Sequence, residues 1–529
     1  MAVKKQTFMK GILVMMAAQV LIKLLGFIYR VVLTNFEEFA DKGNSYYGSG
    51  YTVYMFILAI CTLGIPNTIS KMVSEKIALG DKRGANRTFK VAFFLFAFVG
   101  TFFGVCLYVF AKPISVYVLA NPGVELTMKV LAPSVLFCAI AATIRGYFVG
   151  MSNVTLTSGA QIIDQIVNSV FSIVFVVMLL DRTPEIMAAG STMATTVATF
   201  ASMMYVVSYY LKNKKDIEKE IEEEPKKEVQ RKRDIVSQII KYVIPITFGS
   251  LVVQISNMID LTTIIRGLTN FGYTLEKANE VNGIVLGKID MLIALPLAFN
   301  IAFSTALVPA VSAAMAKKDK KAAVTKINMS IKLSSLIAFP CAIGMSVLAE
   351  PILKLIFPNA PNGANLLQIA AFTVVFSVIA QTVYGSLHGI GKMVIPGTCL
   401  LIGAIVKYIM NVTLIPIFGE PIIVASTLVY QIIAFTLSMT ILFVSLKEVP
   451  RLWSTLFKPC VISVIMGIIT LISYNIVMSI TSSNFIATIF AIVMAIVVYL
   501  FEIIVFKMLD KDEISQLPGG AKINKLLKN

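Results

Sequence analysis

The stretch MKGILVMMAAQVLIKLLGFIYRVVLT, residues 9–34, decides the fold. It is apolar over a length that crosses the roughly 30 Å hydrocarbon core of a bilayer, yet it carries two cations. Gln19, Lys23, Gly26 and Arg30 follow one another at steps of four, three and four, so they share one stripe of a helix. A cation at mid-bilayer costs about 3 kcal/mol on insertion scales, and such residues turn to a protein interior or a watery cavity. The stripe therefore predicts a polar chamber built by other helices, with an anionic guest.

Composition points the same way. Hydrophobic residues make up 57% of the 529 positions and charged residues 14%, with mean hydropathy +0.83, more apolar surface than a soluble core absorbs. Lys4, Lys5 and Lys10 ahead of the first run resemble the start of a secretory signal. The run is too long and too charged for one, and no small-residue cleavage site follows, so it is expected to stay as helix 1.

Fourteen apolar windows of spanning length follow, near 9–33, 48–71, 88–111, 127–149, 156–180, 186–210, 236–264, 283–312, 325–349, 364–388, 394–417, 421–445, 454–478 and 484–507. Barrel strands would be short and alternating, so the predicted fold is an all-α polytopic membrane protein. Segments that face the N-terminal side, window ends included, hold 33 of the 46 lysines and arginines, and the opposite segments hold 7. That bias predicts both termini in the cytoplasm of a multi-pass cell-membrane protein. It also accounts for the net charge of +17 without nucleic acid, since these cations flank the membrane and meet anionic lipid.

Short motifs recur. AKPIS at 111–115 is echoed by AEPIL at 349–353, and AATIRGYFVG at 141–150 by AQTVYGSLHG at 380–389, at offsets of 238 and 239. A weaker echo sets Gly64-Ile65-Pro66 and the basic loop 71–90 against Leu307-Val308-Pro309 and the loop 317–326. The expected organisation is two six-helix lobes, 1–211 and 235–446, joined by a charged cytoplasmic linker, 212–234, with two further helices and a tail in 447–529. Six is even, so the pseudo-twofold axis between the lobes should run along the membrane normal, with the substrate in the cleft between them.

Further polar stripes extend the chamber. Gln161, Asp164, Gln165, Asn168 and Ser172 lie on one face of the fifth window, and Thr247, Ser250, Gln254, Asn257 and Asp260 mark the seventh. Lys288 and Asp290 precede Pro296 in the eighth, and Arg145 stands at the cytoplasmic end of the fourth. Interhelical hydrogen-bonding glue is the bland account of all of these, and a positive-inside anchor that of Arg145. The six cysteines sit in apolar windows without metal or redox spacing, and the only histidine, His388, is assigned a structural role at a helix end.

IKLLGFIYR at 22–30, RGYFVG at 145–150 and LPLAFNIAFSTALVPAVS at 295–312 resemble the polysaccharide-transporter and MurJ-type branch of the multidrug/oligosaccharidyl-lipid/polysaccharide exporter superfamily, nearest the stage V sporulation protein B group. The resemblance implies a flippase, with no enzymatic step, that moves an undecaprenyl-pyrophosphate-linked saccharide, lipid II foremost, from the inner to the outer leaflet. It implies that Lys23 and Arg30 receive the pyrophosphate; Gln19, Arg145 and Lys288 are further substrate-binding candidates read from their own positions. Met291 follows Asp290 where that branch carries an arginine, which leaves Lys288 as the cation of helix 8.

A pyrophosphate does not cross bare hydrocarbon, whereas cations in a cleft replace its hydration shell and leave the prenyl tail in lipid. Asp164, Gln161, Asn168, Asp260, Asn257 and Asp290 are the candidates for lining the cavity or coupling Na+ or H+. No other cofactor, catalytic residue or metal site is expected, and no GxxxxGK[ST] loop is present for ATP. The expected partners are the lipid-linked saccharide and membrane lipid, with a monomeric chain. Two rivals are a cation-coupled drug exporter, which wants acidic rather than basic residues in the N-terminal lobe and is opposed by Lys23 and Arg30, and a membrane enzyme. The enzyme wants a large outer loop or an acidic metal motif, and the longest outward loops, 34–47 and 265–282, supply neither.

Overall fold

The computed structural model describes residues 8–62, 64–153, 155–223, 230–317, 319–447 and 453–509. Lys4, Lys5, linker residues 224–229, the tail beyond 509 and the side chains of Lys10 and Ser250 lie outside the described residues. What is described is helical, without a strand, and divides into two compact units.

Unit 1 comprises Met1–Lys288 with Tyr408–Gly419. It contains α1 (Phe8–Thr34), α2 (Ala40–Cys61), α3 (Ile65–Ala78), α4 (Lys82–Pro113), α5 (Glu125–Gly150), α6 (Thr155–Met178), α7 (Pro184–Glu222), α8 (Lys232–Phe271) and α9 (Leu275–Ile284). Small residues bring its helices together. A Cβ on Gly104 would stand 2.8 Å from the Ala132 carbonyl of α5, and one on Gly150 would stand 2.8 Å from Val73 and 2.9 Å from the Ser70 carbonyl of α3. This close approach replaces the hydrophobic drive that helices lack in lipid. Hydroxyls that fall inside return their proton to the preceding turn, as Thr34 does to the Arg30 carbonyl (2.9 Å) and Thr143 to Ala139 (2.9 Å).

Unit 2 comprises Ile289–Lys407 and Glu420–Asn529. Its helices are α10 (Asp290–Ala316), α11 (Lys320–Val347), α12 (Ala349–Ile356), α13 (Ala364–Ala370), α14 (Thr373–Gly389), α15 (Ile395–Phe418, whose last turns belong to unit 1), α16 (Pro421–Leu446), α17 (Lys458–Thr481) and α18 (Asn484–Val505). Within it, a Cβ on Gly389 would stand 2.9 Å from Val311 and 3.2 Å from the Val308 carbonyl. This is the contact that Gly150 makes with Val73 and Ser70 in unit 1, at the offset of the sequence echo. Along α18, Phe485, Ile489, Val493, Ile496, Leu500 and Ile504 are exposed. Such an apolar stripe belongs against acyl chains.

Twelve helical stretches among the described residues are long and apolar enough to cross a bilayer. They match twelve of the fourteen windows. The other two windows fall on α1 and α7, and α7 reads as too polar because Ser191, Thr192, Thr195, Thr196, Thr199 and Ser202 are threaded through it, every one buried.

Both stretches read as long outward loops are largely helix. α2 begins at Ala40, α8 runs to Phe271, where Gly272 (φ +111°) caps it, and α9 starts after Thr274, whose hydroxyl accepts from the Lys277 amide (3.2 Å). Hydropathy missed them because their polar residues are satisfied by each other. Asn279 accepts from Ser45 (2.7 Å) and Asn121 (2.6 Å), and Asn282 donates to Ser45 (2.9 Å) and Ser49 (3.2 Å). Likewise the basic loop 71–90 is α3 and α4 with a short turn between them, closed by Asp81, which accepts from the Gly84 amide (2.7 Å). The linker 212–234 is helical as far as Glu222 and again from Lys232.

Candidate functional site

The amphipathic stripe of α6 turns into unit 1. Gln161 and Asp164 line a cavity of about 300 Å³ with Arg145 of α5, Tyr51 and Tyr54 of α2, and Thr195 of α7. That volume admits on the order of ten waters. Gln19 of α1 donates to Gln161 (3.1 Å), while Asn168 accepts from Thr195 (3.1 Å) and Ser172 (3.4 Å). Five of the residues singled out in the sequence, Gln19, Arg145, Gln161, Asp164 and Asn168, are therefore gathered here. Arg145 and Asp164 place opposite charges on one cavity wall without forming an ion pair, and the buried Arg145 Nε has no hydrogen-bond partner. A polar enclosure with a cation, an anion and several hydroxyls can hold a small ion, a proton or an anionic group.

Lys23 and Arg30 do not line this cavity. Lys23 is exposed. Arg30 is half-buried, its guanidinium 4.1 Å from the centre of the Tyr47 ring and 3.4 Å from Asn44 Oδ1. Neither cation forms an ion pair with a described carboxylate. Tyr47 stacks on Tyr51 at 5.8 Å, and Tyr51 lines the cavity, so an aromatic pair connects Arg30 to the polar enclosure. Tyr47 is itself held by the Tyr29 hydroxyl at 3.1 Å, and Asn44 by donating to Thr34 (2.9 Å). Asn44, Tyr47, Tyr51 and Tyr54 escaped the sequence reading. Their spacing of three, four and three is a helical stripe, but the first two lay inside a presumed loop.

The remaining candidates lie elsewhere. Lys288 is fully buried and paired with Asp41 (2.7 and 2.9 Å), in a π-helical turn over Val285–Ile289. The close approach there needs glycine, since a Cβ on Gly283 would overlap the Asp41 carbonyl at 1.7 Å and one on Gly287 would meet Asn44 at 2.5 Å. On α8, Asp260 accepts from Asn411 (3.0 Å), which also donates to Thr263 (2.9 Å), and Asn257 donates to Gln254 (3.4 Å). Asp290 is exposed and belongs to unit 2. Unit 2 has a polar hub of its own that the sequence reading did not single out. Asn300 donates to Gln381 (2.9 Å) and the Val378 carbonyl (2.9 Å), and accepts from Ser334 (2.7 Å). Among the described residues no group of three or more His, Cys, Asp or Glu side chains could hold a metal ion.

Comparison with known proteins gives the same fold. The chain is 24% identical to the stage V sporulation protein B of Bacillus subtilis over 97% of this chain and 98% of that one. It is 22% identical to the lipid II flippase MurJ of B. subtilis over 80% of each. A solved structure of lipid II flippase MurJ in an inward closed conformation superposes with TM-score 0.67 at 14% identity, covering 93% of this chain and 98% of that one. A MatE sequence model matches residues 284–413. The model described as polysaccharide biosynthesis protein matches residues 8–315, more than half of the chain. The chain is thus a transporter-fold membrane protein of the MOP superfamily, and it belongs to the polysaccharide biosynthesis protein family.

Proposed function

We propose that this protein is a flippase that carries an undecaprenyl-pyrophosphate-linked saccharide, with lipid II as the favoured cargo, from the inner to the outer leaflet. One observation carries the reading. Arg30 and Lys23 of α1 have no carboxylate partner among the described residues, whereas the buried Lys288 has Asp41. An intramembrane cation without an internal counter-ion is suited to an anionic ligand. Arg30 is also oriented for one, because its planar fork is held by Tyr47 and Asn44 and binds phosphate oxygens in bidentate fashion.

In this reading fourteen helices form two related lobes, both termini face the cytoplasm, and the linker is a tether. Rocking of the lobes exposes the α1 cations to each leaflet in turn while the prenyl tail stays in lipid. The cavity of Arg145 and Asp164 couples the cycle to Na+ or H+, with Asp260 and Asp290 as the other acids available to it. Gln19, Gln161 and Asn168 position the polar part of the cargo, and Lys288, closed by Asp41, serves the scaffold. The protein acts as a monomer on lipid substrates and uses neither ATP nor nucleic acid.

The MatE match over 284–413 supports a second reading, a cation-coupled exporter of amphipathic drugs. Proteoliposomes holding the full chain separate the two. Under the flippase reading a fluorescent prenyl-pyrophosphate saccharide moves between leaflets and a cationic dye does not accumulate. Dye transport without lipid movement would reverse the assignment, and covalent change in the lipid would make the protein an enzyme. Rescue of cells depleted of their lipid II flippase identifies lipid II as the cargo.

A further inference from the structure

Unit 1 contains a second, larger cavity of about 900 Å³, which shares no lining residue with the first. Its walls are α4, the C-terminal end of α7 and the start of α8. On α4, Arg83, Arg87, Lys90, Phe94 and Phe98 follow at steps of four, three, four and four, so they occupy one face. From Arg83 to Phe98 that face runs about 22 Å. Its chemistry is graded along the helix axis, with cations over the first turns and then Phe94 and Phe98, which are 73% and 71% exposed. Lys232 of α8 adds a fourth cation, and none of the described lining residues is acidic.

The wall is held in place by contacts within unit 1. Lys82 pairs with Glu220 at 3.0 Å, and Arg83 donates to the Ile221 carbonyl at 3.5 Å. Two buried polar atoms of lining residues have no hydrogen-bond partner, Arg87 Nε and Asn86 Oδ1, and Asn86 is only 9% exposed. The α4 terminus itself is closed by Asp81, so the helix end is not the attraction. An unpartnered donor and an unpartnered acceptor beside three further cations suit a ligand with both an anion and a hydroxyl. The aromatic half of the groove suits one with acyl chains.

We propose that this groove binds one anionic glycerophospholipid with a hydroxylated headgroup, of the phosphatidylglycerol type, at a site separate from the cargo path. The phosphate lies among Arg83, Arg87, Lys90 and Lys232, the headgroup hydroxyl donates to Asn86 Oδ1, and an acyl chain follows Phe94 and Phe98. The groove joins α4 to the helix ends on either side of the charged linker, so the bound lipid braces the start of α8 against the first helices.

Native mass spectrometry of the full-length protein, titrated with phosphatidylglycerol, phosphatidic acid, phosphatidylcholine and glycerol 3-phosphate, tests this. Phosphatidylglycerol should be retained at least about tenfold better than phosphatidylcholine. Arg83→Gln, Arg87→Gln and Lys90→Gln together should weaken it by about fivefold per cation removed, and the matching Arg→Lys variants should retain most of the binding. Asn86→Ala should erase any preference for phosphatidylglycerol over phosphatidic acid, a readout that survives if the triple variant folds poorly. Equal retention of phosphatidylglycerol and phosphatidylcholine by the parent, or unchanged retention by the triple variant in its folded state, overturns the proposal. Glycerol 3-phosphate binding as tightly as the lipid would also overturn it, by making the groove a site for soluble anions.

Discussion

Two lysine and arginine sites in unit 1 solve the problem of intramembrane charge in opposite ways. Lys288 is fully enclosed and neutralised by Asp41, 247 residues away in sequence, through the packing of α9 and the π-helical turn after it on α2 at Gly283 and Gly287. Arg30 is half-exposed and, among the described residues, meets an aromatic face and an amide oxygen but no carboxylate, and Lys23 two turns earlier on α1 is exposed. The first arrangement completes itself and reads as structure. The second holds a charge in place without cancelling it, which is what a site for a pyrophosphate requires. A buried cation by itself therefore says little; the presence or absence of an internal counter-ion separates scaffold from site.

The sharpest way to break this contrast is to remove one half of the closed pair. Lys288→Ala leaves Asp41 buried and alone, and should destabilise unit 1 by about 3–5 kcal/mol. Replacing both, Lys288→Met with Asp41→Leu, should recover most of that in a thermal unfolding measurement. Equal melting of parent and single variant would show the pair to be incidental. A neutral hub gives the intermediate case: Asn300→Ala in unit 2 removes the hydrogen bonds to Ser334, Gln381 and the Val378 carbonyl and should cost about 1–3 kcal/mol, read in the same way. At the open site the effect should move from stability to binding. Tyr47→Leu removes the ring beneath Arg30 and should weaken affinity for a prenyl pyrophosphate by about 1–2 kcal/mol. Asn44→Ala removes a longer contact and should cost about 0.5–1 kcal/mol in the same titration.

The cations of α1 were legible in the sequence as a stripe and the Lys288–Asp41 pair was not, for a physical reason. The stripe Gln19, Lys23, Gly26, Arg30 is local, and helical periodicity alone puts those residues on one face. The same holds for Gln161, Asp164 and Asn168, which the fold brings to one cavity with Arg145 and Gln19. The Lys288–Asp41 pair depends on two segments distant in the chain. Asp41 also lay in a stretch whose polarity resembled a loop, because Asn44, Ser45 and Ser49 find their partners only in tertiary structure, at Thr34, Asn279 and Asn282. Tyr47 and Tyr51 were hidden with them. The echo of AATIRGYFVG in AQTVYGSLHG was legible as a repeat, and its packing role, glycine against valine in each unit, became visible only in the fold.

The central claim is that the charges of α1 are kept for the cargo and not for the fold. Lys23→Ala with Arg30→Ala, reconstituted in proteoliposomes beside the parent protein, tests it when flipping of a prenyl-pyrophosphate saccharide and thermal unfolding are measured on the same samples. Loss of two charge-assisted contacts should slow flipping by on the order of a hundredfold or more while leaving the melting temperature within a few degrees of the parent. Flipping at the parental rate, in a double variant that is equally well folded, would contradict it.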